Sequence, residues 1–524
     1  MGALLEVPQA EVRTLGTWSL KGKNLSFAEV QQDLSLILGR AQEKLPSLTR
    51  LDVGGCTLGD AGLGVLAAGI GPNTQLRHLG VGDNAITVEG AGALADALRV
   101  NTTLTSLDVR GRDWDGEDDV DSATINAAAA SGQKVDRKKE HAALGVLGSA
   151  LLANRQSAVC FVMCDAFTLD EQATRLMLDK EDDNGRPVSA GAATLLAGAV
   201  RANKVLVDLS VRHCPLVVGE AARQLAASVL ESTVMCDFSK LPLEELRGNY
   251  PGLVRSDAHH RDGLVQRRND KKPMVTLKVA NAGMGAAGAI VAAGAAAKVP
   301  TLTTVALPNN KIGTEGGVAM AALLRGVNGL TNLDLRGGEI VGEGARALAD
   351  AVLASSSLET FSEVPLKRLR ENTGDERLDL TNSGGSLSPA EAHVLASLLA
   401  DNTKVTALVL DRNHVLNEGA ISLLKMLHTN STLTSLVLNE TELTAGAVPA
   451  IAEMLVANST LRELNIGGNK LGKEAGGLLA DAIEKNKTLT SLRALRAIPT
   501  KEADRLKKAR ATRTDGQPTL EVKV

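Results

Sequence analysis

TKVTALVLDRNHVLNEGAISLLKMLHTN, residues 403–430, runs directly into STLTSLVLNETELTAGAVPAIAEMLVAN (431–458) and STLRELNIGGNKLGKEAGGLLADAIEKN (459–486). The three blocks are equal in length, and together they align Val405 with Leu433 and Leu461, Leu408 with Leu436 and Leu464, and Leu410 with Leu438 and Ile466. Counting Val405 as position 1, apolar residues at positions 4 and 6 leave a short strand on the same side, because strand side chains alternate with period two. Position 9, Asn413 or Asn469, marks a turn, where a carboxamide bonds loop backbone groups that burial would leave unpaired. A helix follows, as in GAVPAIAEMLVAN (446–458), with apolar residues at helical spacing. One strand–helix unit cannot bury its own core. Stacked copies can, and each buried leucine contributes about 1.5–3 kcal/mol.

The same spacing recurs as Leu48, Leu51, Val53, Cys56 and Leu58, then as Leu76, Leu79, Val81, Asn84 and Ile86, then as Leu104, Leu107 and Val109. Leu206, Leu209, Val211 and Cys214 stand alone, while Leu302, Val305, Leu307 and Asn310 lead into Leu330, Leu333 and Leu335 one period later. This is the grammar of a leucine-rich repeat at the long end of the period range. A 28-residue unit with a full helix resembles the ribonuclease-inhibitor-like leucine-rich repeats, and such repeats opened by a cassette like FSEVPLKRLREN (361–372) resemble the large leucine-rich repeat proteins of algae and other protists. The resemblance implies an α/β horseshoe solenoid, with parallel strands on the concave face and helices on the convex face. It also implies a surface that binds other proteins; the class includes inhibitors, innate-immune sensors, GTPase-activating proteins and axonemal subunits.

One motif competes with this reading. Gly283-x-Gly285-x-x-Gly288 follows the apolar run Met274–Val279, the order in which a dinucleotide-binding fold cradles a pyrophosphate. Yet Met274, Leu277, Val279 and Ala282 are themselves repeat positions, one period before Leu302 and its partners. Gly285 and Gly288 fall where other repeats have Gly59 and Gly62 or Gly313 and Gly316, and the next strand, TTVALPNN (303–310), lacks the acidic residue a ribose needs. No cofactor is expected.

A longer pattern overlies the repeat. FSKLPLEELRGN (238–249) and FSEVPLKRLREN (361–372) share seven of twelve residues, with a fainter copy around Pro8, Val12 and Arg13. Read as module openings, these cassettes divide the chain into 1–235, 236–358 and 359–494, with a cap or tail at 495–524 ending in a lone strand, TLEVKV. Period-breaking stretches near 113–140, 171–191 and 252–272 read as surface insertions.

The chain has 524 residues, too many for one ordinary domain, and 44% apolar residues can supply a large core. A net charge of −4 gives no global reason to bind nucleic acid or an anionic membrane. No uninterrupted apolar run reaches the roughly 20 residues of a membrane span, and MGALLEVPQAEVR lacks the form of a secretory signal. Five scattered cysteines suit a reducing compartment, so the expected setting is cytoplasmic, with ciliary or cytoskeletal association.

Candidate contacts follow from strand geometry. Asp52, Asp108 and Asp334 stand at position 5, Arg110, Arg212, Arg336 and Asp411 at position 7, and Arg412 at position 8, among small residues such as Gly54, Gly80 and Gly82. They describe a shallow, mixed-charge trough with arginine anchors. In the insertions, Trp114, Arg267, Arg268, Lys271 and Lys272 are the candidate contacts. The acidic loop from Asp113 misses the glycine and glutamate of a calcium loop, and neither His259-His260 nor Cys160-x-x-x-Cys164 completes a metal site. No catalytic set emerges. The expectation is a non-enzymatic interaction scaffold or structural subunit; the alternative is a regulator of a partner enzyme, presenting Arg110, Arg336 or Arg412.

Overall fold

The computed structural model describes residues 17–22, 48–110, 142–179, 188–214, 217–246, 275–382, 384–499, 502, 504–506, 508 and 520–523. The chain forms two compact units, Met1–Glu244 and Glu245–Val524.

In the first unit, β1 (Thr17–Ser19), β2 (Arg50–Asp52), β3 (His78–Gly80), β4 (Ser106–Asp108) and β5 (Phe161–Cys164) pair in parallel, and β6 (Phe167–Leu169) turns back on β5 to end the sheet. A second sheet holds β7 (Arg175–Met177), β8 (Asp208–Ser210), β9 (Asp237–Phe238) and the antiparallel β10 (Leu241–Pro242). The helices are α1 (Gly59–Ile70), α2 (Val88–Val100), α3 (Ala142–Ala153), α4 (Ala190–Ala202) and α5 (Gly219–Glu231), and the short α6 (Leu243–Leu246) begins at the unit's last residues. Helices α1 to α5 pack in chain order, so the helix layer runs through the break between the two sheets.

The second unit repeats the plan. Strands β11 (Thr276–Lys278), β12 (Thr304–Ala306), β13 (Asn332–Asp334) and β14 (Thr360–Phe361) form one parallel sheet, with α7 (Gly285–Ala296), α8 (Gly313–Gly326), α9 (Gly342–Ala354) and the short α10 (Leu366–Arg370). The other sheet runs β15 (Arg377–Asp379), β16 (Ala407–Val409), β17 (Ser435–Val437), β18 (Glu463–Asn465), β19 (Ser491–Arg493) and β20 (Glu521–Lys523), with α11 (Pro389–Leu399), α12 (Leu416–Met426), α13 (Val448–Ala457) and α14 (Ala475–Lys485). Helix α13 is entered through a 3-10 turn, Ala445–Ala447. The register is the sequence repeat made visible: Leu408 pairs with Leu436, Leu436 with Leu464 and Leu464 with Leu492, all buried.

Two asparagine ladders tie the repeats together. Asn84 at position 9 accepts from the backbone N–H of Cys56 (2.9 Å) and Leu58 (3.2 Å) in the preceding repeat and donates to the carbonyls of Val53, Val81 and Gly82. Asn413 and Asn469 make the equivalent bonds, and Cys56 and Cys214 substitute at this position by donating Sγ–H to the carbonyls of Leu20 (3.0 Å) and Leu178 (2.9 Å). The second ladder stands three residues before position 1. Asn101, Asn430 and Asn458 each direct Nδ2 to carbonyls of the preceding repeat. These residues head glycosylation sequons in sequence, but their amides are buried in the ladder.

Several first rungs lie outside the regular period. Within 171–191, read above as an excursion, Leu176 on β7 and Leu178 just after it are buried, and Leu176 pairs with Leu209 at a spacing of 33. Trp18 on β1 pairs with Leu51 at the same spacing, and Leu378 on β15 precedes Leu408 by 30. The cassettes sit at sheet ends: Phe238 pairs with Leu209 and Phe361 with Leu333, so each phenylalanine joins the repeat before it. Both rings are fully buried, Ser362 Oγ accepts from Leu335 N–H (3.1 Å), and Arg370 donates to the carbonyls of Val352 and Leu358 (2.8 Å each) near the end of α9.

The glycine-rich turn is part of this framework. Gly285 opens α7 with φ +63°, as Gly59, Gly219, Gly313 and Gly342 open theirs with φ near +60°. A Cβ on Gly285 would meet nothing within 4 Å. Gly285→Ala therefore carries only the backbone penalty of a left-handed residue, an expected loss of about 1 kcal/mol readable as a lowered urea midpoint. An unchanged midpoint would remove the conformational explanation for this glycine.

Candidate partner-binding surface

Positions 5 and 7 lie on the strand side away from the buried leucines, and there the candidate arginines are already paired. Arg110 grips Asp108 with two nitrogens, Nε at 2.9 Å from Oδ1 and Nη2 against Oδ2. That hydrogen-bonded pairing holds the guanidinium more firmly protonated than usual, with half of its side chain exposed. Arg336 makes the same two-point contact with Asp334 (3.0 and 2.9 Å) and adds Glu363, leaving its side chain only 16% exposed. Arg212 reaches Asp179 on the preceding repeat and Ser210 Oγ (3.1 Å) on its own strand.

The small residues of the trough make room for these groups. Asp52 accepts from Gly54 N–H at 3.0 Å, and its carboxylate lies 2.8 Å from where a Cβ on Gly80 would stand. A Cβ on Gly82 would fall 1.7 Å from the Arg110 carbonyl, so glycine there is a packing requirement.

Asp411 behaves differently. Burial pushes its carboxyl above the usual range against the backbone N–H of Asn439, and the negative charge of Asp379 adds to the rise. Arg412 has φ +59°, like Asp83, Asn309 and Glu440 at the same position, so position 8 leaves the strand rather than continuing its face. It meets Glu440, its counterpart one repeat on, at 3.6 Å with 69% of its side chain exposed.

The sequence reading missed the partners that lie in other repeats. Asp179, Glu363 and the in-register pair Arg175 and Asp208 (3.0 Å) complete the charged surface, and Asp237 adds a carboxyl raised to about 7, chiefly by burial and then by Asp208. Each partner is one rung away, so only the register reveals it. Cys164, at an inward strand position, is buried with its thiol pushed up to about 11 by that burial. Among the described residues no group of three or more His, Cys, Asp or Glu is placed to hold a metal ion. Trp114, Arg267, Arg268, Lys271, Lys272 and the 113–119 and 259–262 motifs lie outside the described residues.

Stacked strand–helix units tied by asparagine ladders define an α/β solenoid. The leucine-rich repeat family model matches residues 44–67, 73–95, 300–321 and 457–480, so the chain carries leucine-rich repeats at those positions. Among solved structures it is similar to leiomodin-1 actin-binding site 2 (23% identity over 28% of this chain and 86% of that one, TM-score 0.26). A tropomodulin C-terminal domain from Caenorhabditis elegans matches at 19% identity over 28% of this chain and 87% of that one, TM-score 0.24. A chain of the yeast Rad7–Elc1 complex matches at 12% identity over 95% of this chain and 88% of that one, TM-score 0.22. A comparison with curated proteins gave no match. Among the described residues no helix is long and apolar enough to cross a membrane.

Proposed function

We propose that this protein is a non-enzymatic interaction scaffold that holds protein partners on its open strand faces, within a eukaryotic cytoplasmic, ciliary or cytoskeletal assembly. The observation that carries this reading is the fixed Asp108–Arg110 pair, whose guanidinium is oriented before any partner arrives while half its side chain stays exposed. Ordering such a side chain in advance lowers the association penalty by about 0.5–1.5 kcal/mol. The insertion residues Trp114, Arg267, Arg268, Lys271 and Lys272 are the alternative contact on the same scaffold.

Reading the protein as a regulator that presents an arginine to a partner's active site is favoured by one residue only. Arg110 and Arg336 are clamped by carboxylates, whereas Arg412 is exposed and only loosely met by Glu440.

Cross-linking pull-downs from the native source with the tagged full-length chain separate these readings. Arg110→Glu is expected to lose a defined set of partners that Lys271→Ser with Lys272→Ser keeps, with circular dichroism unchanged in both. Loss with the lysine variant alone would move the contact to the insertion. A partner enzyme whose stimulated turnover disappears in Arg412→Ala, with binding intact, would establish the regulator instead.

A further inference from the structure

The second asparagine ladder lapses in the middle of the chain, and a cavity lies where it lapses. Three residues before position 1, where other repeats carry Asn101, Asn430 or Asn458, the β12 and β13 repeats carry Val299 and Val327. In the intact ladder, Asn101 Oδ1 accepts from the N–H of Thr103 (3.0 Å) and Leu104 (2.8 Å), and Nδ2 donates to the carbonyls of Ile70 (2.8 Å) and Asn73 (3.0 Å). The counterparts around Val327 are the N–H groups of Gly329 and Leu330 and the carbonyls of Ala296 and Val299. Among the described residues neither N–H meets an acceptor, while the two carbonyls accept from the N–H of Val299 (3.0 Å) and Leu302 (3.2 Å). A carbonyl oxygen has a second lone pair to offer.

All four residues line a cavity of about 290 Å³, whose other walls include Ala297, Pro300, Leu302, Leu323 and Val327. Two donors and two acceptors thus surround the place of an absent side-chain amide, with mostly apolar surface beyond, broken by Asn328 at the exposed rim. We infer that this cavity binds a primary carboxamide carried on a small apolar group. A carboxylate of the same shape satisfies Gly329 and Leu330 but sets its charge against the carbonyls of Ala296 and Val299. An amine offers no acceptor to the two N–H groups. Only the amide meets both sides.

The probe is benzamide, with benzoate as its isostere, followed by ligand-observed NMR and by the backbone amide resonance of Leu330 in the full-length protein. Benzamide is expected to bind and shift Leu330, and benzoate to bind at least tenfold more weakly. Val327→Asn supplies the amide from within, so it is expected to abolish benzamide binding and raise the melting temperature; Val327→Ala keeps the cavity and the binding. Acetyl-glutamine methylamide, a protein-like carboxamide, is the second probe. Its tighter binding would make the occupant a partner's glutamine, and tighter benzamide binding a free small amide. Equal binding of benzamide and benzoate, or no shift at Leu330, overturns the inference. The comparison on the unmodified protein decides the matter even if Val327→Asn folds poorly.

Discussion

Asn469→Ala is expected to lower the stability of the second unit by about 3–4 kcal/mol, far beyond the effect of an ordinary polar-to-alanine change. The side chain is 3% exposed and accepts from the N–H of Thr441 (3.1 Å) and Leu443 (3.0 Å) while donating to the carbonyls of Leu438 (2.8 Å), Ile466 (2.9 Å) and Gly467 (3.1 Å). Alanine removes all five bonds and admits no replacement, so several backbone groups of two successive repeats stay buried and unpaired. In a solenoid the loss falls on a nearest-neighbour interface, here between the β17 and β18 repeats, and it shows as an earlier urea transition with the amides of both repeats exchanging faster. Asn439→Ala is the control: the same chemical change, at a half-buried position on the strand face, is expected within about 0.5 kcal/mol of the parent. Similar losses at the two positions would mean that the ladder does not hold the stack.

The distinction between those two asparagines was legible in sequence only through the period. Position 9 recurs at a spacing of 28, so Asn84, Asn310, Asn413 and Asn469 could be given a backbone-binding role before any coordinates, and their bonds across repeats agree with it. Rungs with another period escaped. From β1 to β2 and from β7 to β8 the spacing is 33, and from β15 to β16 it is 30, with Trp18 in a leucine position and Ala173 or Asp375 at position 1. The cassette residues were visible as a pattern but not as a function. Burial of Phe361, acceptance by Ser362 and the carbonyls capped by Arg370 become clear only where the sheet ends.

The candidate surface was half legible for a related reason. Pairs two residues apart on one strand, Asp108 with Arg110 and Asp334 with Arg336, follow from alternation alone. Pairs between strands depend on register and on which repeats are neighbours. Asp179 with Arg212 therefore required β7, a strand the period did not disclose. Trough glycines carried the opposite ambiguity: Gly80 and Gly82 looked like an open surface, yet a neighbouring carboxylate and a neighbouring backbone fill the space a side chain would take.

Asp237 shows what such hidden register does to stability. Arg175, Asp208 and Asp237 stand in register on β7, β8 and β9, and the single arginine is bonded to the middle residue at 3.0 Å. Asp237 is left partly buried beside a second carboxylate, with Lys240 N–H (3.0 Å) stabilising its charge only in part. Burial, and then the charge of Asp208, raise its carboxyl from 3.8 to about 7. The folded chain thus holds a proton that the unfolded chain releases near pH 4, so this residue's contribution to stability falls as pH rises from about 4 to 7 and stays low above it. At about 1.4 kcal/mol per unit, the penalty above pH 7 is on the order of 2–4 kcal/mol once the partial exposure is allowed for. Asp237→Asn keeps an oxygen for Lys240 N–H and carries no charge. It is expected to match the parent at pH 4 and exceed it by that amount at pH 8, with urea midpoints at pH 4, 6 and 8 as the measurement. A gain of equal size at all three values would trace the effect to packing instead, and no gain at pH 8 would mean that Arg175 and Arg212 already neutralise both carboxylates.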